Sequence, residues 1–176
     1  MMKKRKYIRV EKLYSVNEII GIVSSCHSFN HECIGFKWLG HIESLPRIIN
    51  IDGYDVKISS NRLQTFVCKG TVCACCGIVG SYFAIEHHKH DPAKSFNLAL
   101  YAELDGKEVL MTSDHIIPVN LGGRGSMFNR QTLCRDCNTI KSNKLISNEE
   151  LFKIVQAVKR KRLRKDGKQK KSQTKR

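Results

Sequence analysis

The chain has 176 residues, 41% hydrophobic and 27% charged, which suits one folded unit with terminal extensions. No apolar run approaches the ~20 residues that a membrane-spanning helix needs. Charged residues also interrupt the start of the chain where a signal peptide would be apolar. These features argue against a membrane protein or an exported one, and they predict a cytoplasmic protein.

The net charge of +15 lies on the two ends of the chain. Residues 1–12 contribute +5 and residues 159–176 contribute +10, whereas residues 13–158 are neutral. A neutral folded unit with polybasic ends is typical of a protein that binds a polyanion, above all nucleic acid. Tails that only improve solubility are the alternative. Membrane-surface binding is disfavoured because the last residues offer no apolar face to insert.

The first half of the chain predicts two helices with a hairpin between them. Ser15–Glu18 has the form of a capping box, and the apolar spacing after it predicts a helix over about 16–25. A turn at Asp52-Gly53 predicts a β-hairpin within 48–58. The serines Ser59–Ser60 then cap a second helix.

The second half predicts strands and a final helix. Two β-rich runs over 81–85 and 96–101 precede a third strand over 109–112. Ser147–Glu150 is another capping box, and the helix after it carries one apolar stripe before it frays in the basic tail. Because strands and helices do not alternate regularly, the predicted fold class is α+β.

Two close cysteine pairs predict a metal site. Cys73 and Cys76 form a C-x-x-C pair followed by glycine, and Cys134 and Cys137 form the second pair. Without a signal peptide, this spacing predicts tetrahedral structural zinc rather than disulfides. Cys75 lies within the first pair, and the sequence leaves open whether it replaces one of its neighbours.

A second cysteine-containing segment is a weaker candidate for metal binding. Cys26 and Cys33 flank two histidines, with His41 further along, but the spacing is not C-x-x-C. Buried thiols and loop imidazoles explain this segment at least as well, because a structural site needs four converging ligands. Trp38 is assigned to core packing.

A group of residues between and beside the pairs has the chemistry of phosphodiester hydrolysis. Asp114 and His115 end a β-run, Asn129 closes a glycine-rich loop, and Asn138 follows the second pair. Carboxylate and amide oxygens suit a hard divalent ion, and a neutral histidine beside it can deprotonate water. Adjacent side chains on a regular strand point to opposite faces. Either the strand breaks at Asp114, or the two groups reach a phosphate from different sides.

Residues 111–143, MTSDHIIPVNLGGRGSMFNRQTLCRDCNTIKSN, resemble the HNH endonuclease motif. Its usual form is a DHI-P stretch, a GG loop, an asparagine, and then C-x-x-C-N-x-x-K. The wider layout is similar to HNH proteins of bacteriophages, and a homing-type endonuclease would share the same chemistry. The resemblance implies an HNH ββα-metal core whose zinc is structural.

The resemblance also implies roles for individual residues. His115 would be the general base, and Asp114 with Asn138 would hold one Mg²⁺ or Mn²⁺ ion. Asn129 would orient the loop and the histidine, and Lys141 would contact phosphate. Asn138 stands where many members have histidine, which leaves the choice of catalytic metal open.

The predicted protein is a metal-dependent HNH DNA endonuclease. Because one such site cuts one strand, a double-strand break would need a homodimer or successive nicks. The alternatives are a non-catalytic, zinc-stabilised DNA-binding or regulatory protein, and a nuclease that cleaves RNA. Further phosphate contacts are expected from basic residues after the final apolar stripe, namely Lys159, Arg160, Lys161, Arg162, Arg164 and Lys165.

The predicted organisation has four segments. They are a basic arm over 1–12, an α+β region over 13–66 with DNA recognition as a candidate role, a zinc-stabilised HNH domain over 67–147, and a C-terminal helix with a polybasic tail over 148–176.

Overall fold

The computed structural model describes residues 7–25, 48–91 and 95–173. Within these ranges the strands are β1 (Tyr7–Ser15), β2 (Ile48–Ile51), β3 (Tyr54–Lys57), β4 (Gly80–His88), β5 (Phe96–Leu104), β6 (Lys107–His115) and β7 (Arg130–Cys134). The α-helices are α1 (Val16–Ser25), α2 (Asn61–Lys69), α3 (Arg135–Lys141) and α4 (Asn148–Gln173). The mixed α+β class predicted from the sequence is confirmed.

One sheet joins all the strands of the described ranges. The antiparallel pair β4–β5 is central, β1 joins the free side of β4, and the hairpin β2–β3 joins β5 through a short parallel pairing. The other end of β5 pairs with β6, and β6 pairs with β7. The β6–β7–α3 segment, which bears the predicted catalytic residues, is therefore joined to the central strands through the pairing of β6 with β5.

The local signals at the ends of elements agree with the structure. The Ser15 hydroxyl accepts a hydrogen bond from the Glu18 amide at 3.1 Å, at the start of α1. Asp52 and Gly53 take left-handed φ values of +50° and +86°, which the two-residue turn of a hairpin requires. Ser60 caps α2, as predicted for one of the paired serines.

The predicted N-terminal basic arm is in part a strand. Residues 7–12 belong to β1, where the Arg9 Nε donates to the Glu86 carboxylate at 2.9 Å and the Arg9 side chain also pairs with Glu108. The guanidinium also lies 4.4 Å from the ring centre of Tyr101. Arg9 is therefore engaged within the sheet. The arm over 1–12 stays a prediction, and residues 1–6 lie outside the described ranges.

The hydrophobic core lies between the sheet and the helices. Phe66 of α2, Phe83 of β4 and Leu100 of β5 are 0% exposed, and Ile19 anchors α1 against the same core. The core cluster continues through Met111 of β6 to the cysteine cluster and α4. Burial on this scale contributes roughly 1.5–3 kcal/mol per large apolar side chain, so the core gives β6 a rigid support.

Helix α4 begins at the predicted capping box and extends beyond the predicted fraying point. The Glu150 amide donates to the Ser147 hydroxyl at 3.1 Å, and the Ser147 amide donates to the Glu150 carboxylate at 3.4 Å. Leu151 and Val155 are fully buried, and the helix continues to Gln173 because lysine, arginine and glutamine favour helix.

Two sequence predictions keep their status. The boundary proposed at residues 66 and 67 falls inside α2, so the division into segments stays a prediction. The Cys26–Cys33 segment and Trp38 lie outside the described ranges. Among the helices that are described, none has the length and apolar character needed to cross a membrane.

Candidate active site and cysteine cluster

Strand β6 stays regular to its last residue, which decides between the two arrangements considered for Asp114 and His115. Asp114 pairs with Gln131 of β7 and His115 pairs with Arg130. The two side chains consequently leave the strand on opposite sides. Asp114 is only 7% exposed, whereas His115 is half-buried.

Buried donors hold the Asp114 carboxylate in place. The Gln131 side-chain amide donates to Oδ2 at 2.9 Å, and the Lys141 ammonium lies 3.0 Å from the same oxygen. Lys141 Nζ also donates to the backbone carbonyl of His115 at 2.7 Å. Because each partner is itself buried, these contacts are charge-assisted bonds in a water-poor setting.

The phosphate contact predicted for Lys141 does not fit this position. The side chain is 1% exposed, and its ammonium is directed at the Asp114 carboxylate and the His115 carbonyl. A buried lysine is rare unless it is paired, and here the pairing partner is a predicted metal ligand. The structure thus places Lys141 in contact with Asp114 and His115, and its contact with phosphate stays a prediction.

Asn129 fastens the loop between β6 and β7. Its side-chain oxygen accepts from the Ile117 amide at 2.8 Å, and its nitrogen donates to the carbonyls of Ile117 and Arg124, each at 2.9 Å. A Cβ on Gly123 would lie 1.8 Å from the Ile117 carbonyl oxygen, so the loop is closely packed there. This geometry agrees with the loop-orienting role expected of Asn129.

Asn138 presents its amide oxygen beside the strand. The residue lies in the first turns of α3, and its side-chain nitrogen donates to the Thr112 hydroxyl at 2.9 Å. That hydroxyl in turn donates to the Leu133 carbonyl at 2.8 Å. With the nitrogen bound, the remaining oxygen is the atom of this amide suited to a cation.

The environment of His115 favours the neutral imidazole. Burial lowers the pKa of His115 below its ordinary value, and the positive charges of Arg130 and then Lys141 lower it further. The Asp114 carboxylate opposes this shift. A histidine that is neutral near pH 7 can accept a proton, as a general base must.

These groups border one open cleft of about 580 Å³. Asp114 and His115 of β6 line it together with Asn138 and Lys141 of α3, and the loop after β6 contributes Pro118. The donors that the cleft offers a metal are a carboxylate and an amide oxygen, which fits a hard divalent ion with water and phosphate completing its shell.

Four cysteine sulfurs converge in a separate cluster. The Sγ atoms of Cys73, Cys76, Cys134 and Cys137 all lie within 4.8 Å of one another, so the group could hold a metal ion such as zinc. Cys75 is not part of this group. Three of the four side chains are buried, as expected of a closed structural site.

Backbone amides are directed at the sulfur of Cys73. The Cys134 amide donates to it at 3.3 Å across 61 residues of sequence, and the Cys76 amide at 3.5 Å. Hydrogen bonds with the neighbouring thiols lower the pKa of Cys73, whereas burial raises the pKa of Cys75. Gly77 takes a φ of +74°, which lets the knuckle turn back.

The structure places the predicted basic residues along α4, beyond its buried apolar stripe. Arg160, Lys161 and Arg164 are exposed and Lys159 is half-buried. The backbones of Arg162 and Lys165 belong to the same helix, but their side chains lie outside what the structure describes.

Sequence reasoning missed three residues around the site. The Gln131 side chain donates to Asp114, the Asn148 side chain donates to the Gln131 side-chain oxygen at 3.1 Å, and the Arg130 guanidinium donates to the Ser113 hydroxyl at 3.1 Å. The sequence predicted a strand over 109–112, which is part of β6, but it did not predict the pairing of β6 with β7 that brings Gln131 beside Asp114. A polar residue on a buried strand was the signal for Gln131, since such a group needs a hydrogen-bond partner.

Residues 103–149 match the family model of the HNH endonucleases. The matched segment contains β6, β7, α3 and the second cysteine pair, and it confirms the resemblance drawn from the sequence. No curated protein and no solved structure matches the chain. The match supports a nuclease family for this segment, and with the cysteine cluster it supports metal binding.

Proposed function

We propose that this protein is a metal-dependent HNH endonuclease that hydrolyses phosphodiester bonds of DNA. The observation that carries the proposal is the convergence of Asp114, His115 and Asn138 on one cleft within the segment that matches the family. In this proposal β6, β7 and α3 form the ββα-metal unit. In this proposal the protein is of a phage or homing type and acts on DNA in the cytoplasm.

Two metals fit two different donor sets. Asp114 and the Asn138 oxygen would hold Mg²⁺ or Mn²⁺, which when bound supplies Lewis-acid stabilisation of charge on the scissile phosphate. Cys73, Cys76, Cys134 and Cys137 would hold zinc, and four thiolates leave no open position for catalysis. The zinc is therefore a structural ion that joins the first knuckle to the start of α3.

His115 supplies the proton acceptor. Its neutral imidazole takes a proton from the water that attacks phosphorus, and the bond between phosphorus and the 3′ oxygen breaks. The leaving oxygen takes a proton from solvent, which gives 5′-phosphate and 3′-hydroxyl ends. Asn129 keeps the loop beside His115 in place through its bonds to Ile117 and Arg124.

The basic part of α4 supplies binding energy that does not depend on sequence. Lys159, Arg160, Lys161 and Arg164 lie on a helix whose N-terminal half is fixed to the core by Leu151. Such cations bind the DNA backbone and release counterions. One site cuts one strand, so cleavage of both strands requires a dimer or successive nicks.

The main alternative is a zinc-stabilised protein that binds DNA without cutting it. The ion pair of Lys141 with Asp114 favours this alternative, because the carboxylate already has a cation at 3.0 Å. Nuclease activity remains the better proposal, since the pair leaves His115 half-buried at the cleft and the Asn138 oxygen without a bond to Lys141.

A plasmid assay tests the proposal. Supercoiled DNA with the full chain and Mg²⁺ or Mn²⁺ should convert to open circle, and EDTA should abolish the conversion. His115→Ala should slow it by at least about 100-fold, the scale of a lost general base. The matched control is His90→Ala, at an exposed histidine in the turn after β4, and this variant should cut like the parent.

Three other results would contradict parts of this proposal. Equal rates for the parent and His115→Ala would refute the assigned base. Plasmid that shifts on a gel but stays supercoiled would support the non-catalytic alternative, provided that short duplexes of varied sequence are also bound without being cut. Faster cleavage of a structured RNA than of duplex DNA in the same metal would replace DNA with RNA as the substrate.

A further inference from the structure

The Asp114 carboxylate is held by two buried side chains from different elements. Gln131 approaches from the neighbouring strand β7, and Lys141 approaches from the end of α3. Gln131 is 8% exposed and Lys141 is 1% exposed, so water does not compete for either contact. The orientation of the carboxylate is consequently set by these residues rather than by solvent.

The support extends one residue further, to the first residue of α4. The Asn148 side-chain nitrogen donates to the Gln131 side-chain oxygen at 3.1 Å. This bond fixes which end of the Gln131 amide faces Asp114, because the other end must then donate. A chain of two amides thus connects the start of the basic helix to the carboxylate.

Lys141 differs from Gln131 because it brings a charge. Its ammonium lies 3.0 Å from one carboxylate oxygen and 3.3 Å from the other. A divalent ion on the same carboxylate would be repelled by this buried cation, and repulsion over a few ångströms in a protein interior is substantial. At the same time, the ammonium bonds the His115 carbonyl and so ties the two active-site residues together.

We propose that Gln131 and Lys141 are positioning residues for Asp114, and that the charge of Lys141 also weakens the binding of the divalent ion. This inference rests on the proposed function and deepens it. It assigns control of the metal affinity to Lys141, for which the resemblance implies a contact with phosphate instead. The ammonium of Lys141 thus orients the Asp114 carboxylate, and its positive charge lowers the affinity of that carboxylate for the divalent ion.

The test separates the charge from the geometry with two neutral substitutions. Lys141→Met removes the ammonium and keeps the length of the side chain, and Gln131→Met removes the amide without changing any charge. Lys153→Met, at an exposed lysine of α4, is the matched control. Each full-length, zinc-loaded variant is titrated with Mn²⁺ in a calorimeter without DNA, and its plasmid-nicking rate is measured at saturating Mn²⁺.

Lys141→Met should bind Mn²⁺ at least about fivefold more tightly and nick at least about tenfold more slowly. Gln131→Met should nick more slowly with no gain in affinity, and Lys153→Met should match the parent in both. A residue with only a structural role would lower the melting temperature without tightening Mn²⁺ binding. Unchanged or weaker Mn²⁺ binding by Lys141→Met, in a protein whose circular dichroism spectrum is that of the parent, overturns the inference.

Two further variants cover the other failures. If Lys141→Met does not fold, Asn148→Ala tests the hydrogen-bonded chain from Asn148 through Gln131 to Asp114, because Asn148 is only half-buried. An unchanged nicking rate of Asn148→Ala overturns the positioning role of this chain. Asp114→Asn identifies the site that is being titrated. Mn²⁺ binding that Asp114→Asn leaves intact would mean that the proposed catalytic metal site, and with it the proposed function, is wrong, whichever result Lys141→Met gives.

Discussion

Asn129 uses every polar atom of its side chain to hold backbone, and this makes it the residue whose loss is easiest to interpret. It accepts one bond from Ile117 and donates to the carbonyls of Ile117 and Arg124. Asn129→Ala should lower the free energy of unfolding by roughly 1–3 kcal/mol, since each such bond contributes about 0.5–1.5 kcal/mol. Urea denaturation followed by circular dichroism measures this change.

The same substitution should reduce plasmid nicking by more than the stability loss explains, because the loop borders the cleft beside His115. Asn17→Ala, at an exposed residue of α1, is the control and should change neither property. Full nicking activity in a folded Asn129→Ala protein would show that the loop does not need this brace.

Helix α4 combines a buried half with a charged half, and the two halves can be tested separately. Replacing Lys159, Arg160, Lys161 and Arg164 by glutamine keeps the helix but removes four cations. The slope of log affinity against log salt should become shallower by up to ~0.9 per lost phosphate contact. Anisotropy of a labelled duplex at several salt concentrations in EDTA gives that slope.

The melting temperature of this α4 variant should stay at the parent value, because Leu151 and Val155 still hold the helix to the core. A salt slope equal to that of the parent would exclude this part of α4 from DNA binding. A duplex of unrelated sequence should give the same change in slope, since contacts to phosphate carry no sequence information.

At the scale of the whole molecule, the cysteine cluster joins segments that are far apart in the sequence. The sulfurs of Cys73 and Cys134 belong to one group, and the metal would connect the knuckle before β4 to the junction of β7 and α3. Removal of the zinc with a strong chelator should therefore unfold or strongly destabilise the protein, because binding energy at such a site is folding energy. Thermal melting with and without chelator, together with the zinc released per chain, measures both effects.

Single substitutions at the cluster distinguish ligands from a bystander. Cys134→Ser should reproduce the effect of the chelator, whereas Cys75→Ser should keep the zinc content and melting temperature of the parent. Loss of zinc in Cys75→Ser would mean that this residue takes a place in the site.

Much of the local structure could be predicted from the sequence because its causes are local. The caps at Ser15 and Ser60 and the turn at Asp52-Gly53 each depend on a few neighbouring residues. Strand β1 was missed because its basic residues suggested an arm, although the alternation in YIRVEKLYS was a strand signal. The pairing of β1 with β4 depends on contacts that are distant along the chain, and no local pattern predicts them.

The candidate site was predictable by residue type but not by environment. The motif selected Asp114, His115, Asn129 and Asn138, and the structure brings Asp114, His115 and Asn138 to one cleft. The motif could not show that Lys141 is buried, because lysine is most often exposed and the burial of Lys141 depends on a carboxylate 27 positions earlier. Partners of buried polar groups are set by tertiary packing, which spacing alone does not encode.

The separation of the two cysteine pairs has a consequence for the protein during its synthesis. Asp114 and His115 lie between the pairs, and Asn138 follows Cys137 directly, so a growing chain contains His115 before it contains the second half of the cluster. The cleft cannot be complete until translation has passed Asn138, because residues on both sides of the second cysteine pair line it. If the cluster holds a structural zinc ion, as proposed, a shortage of zinc would leave full-length chains in which the cleft is not assembled.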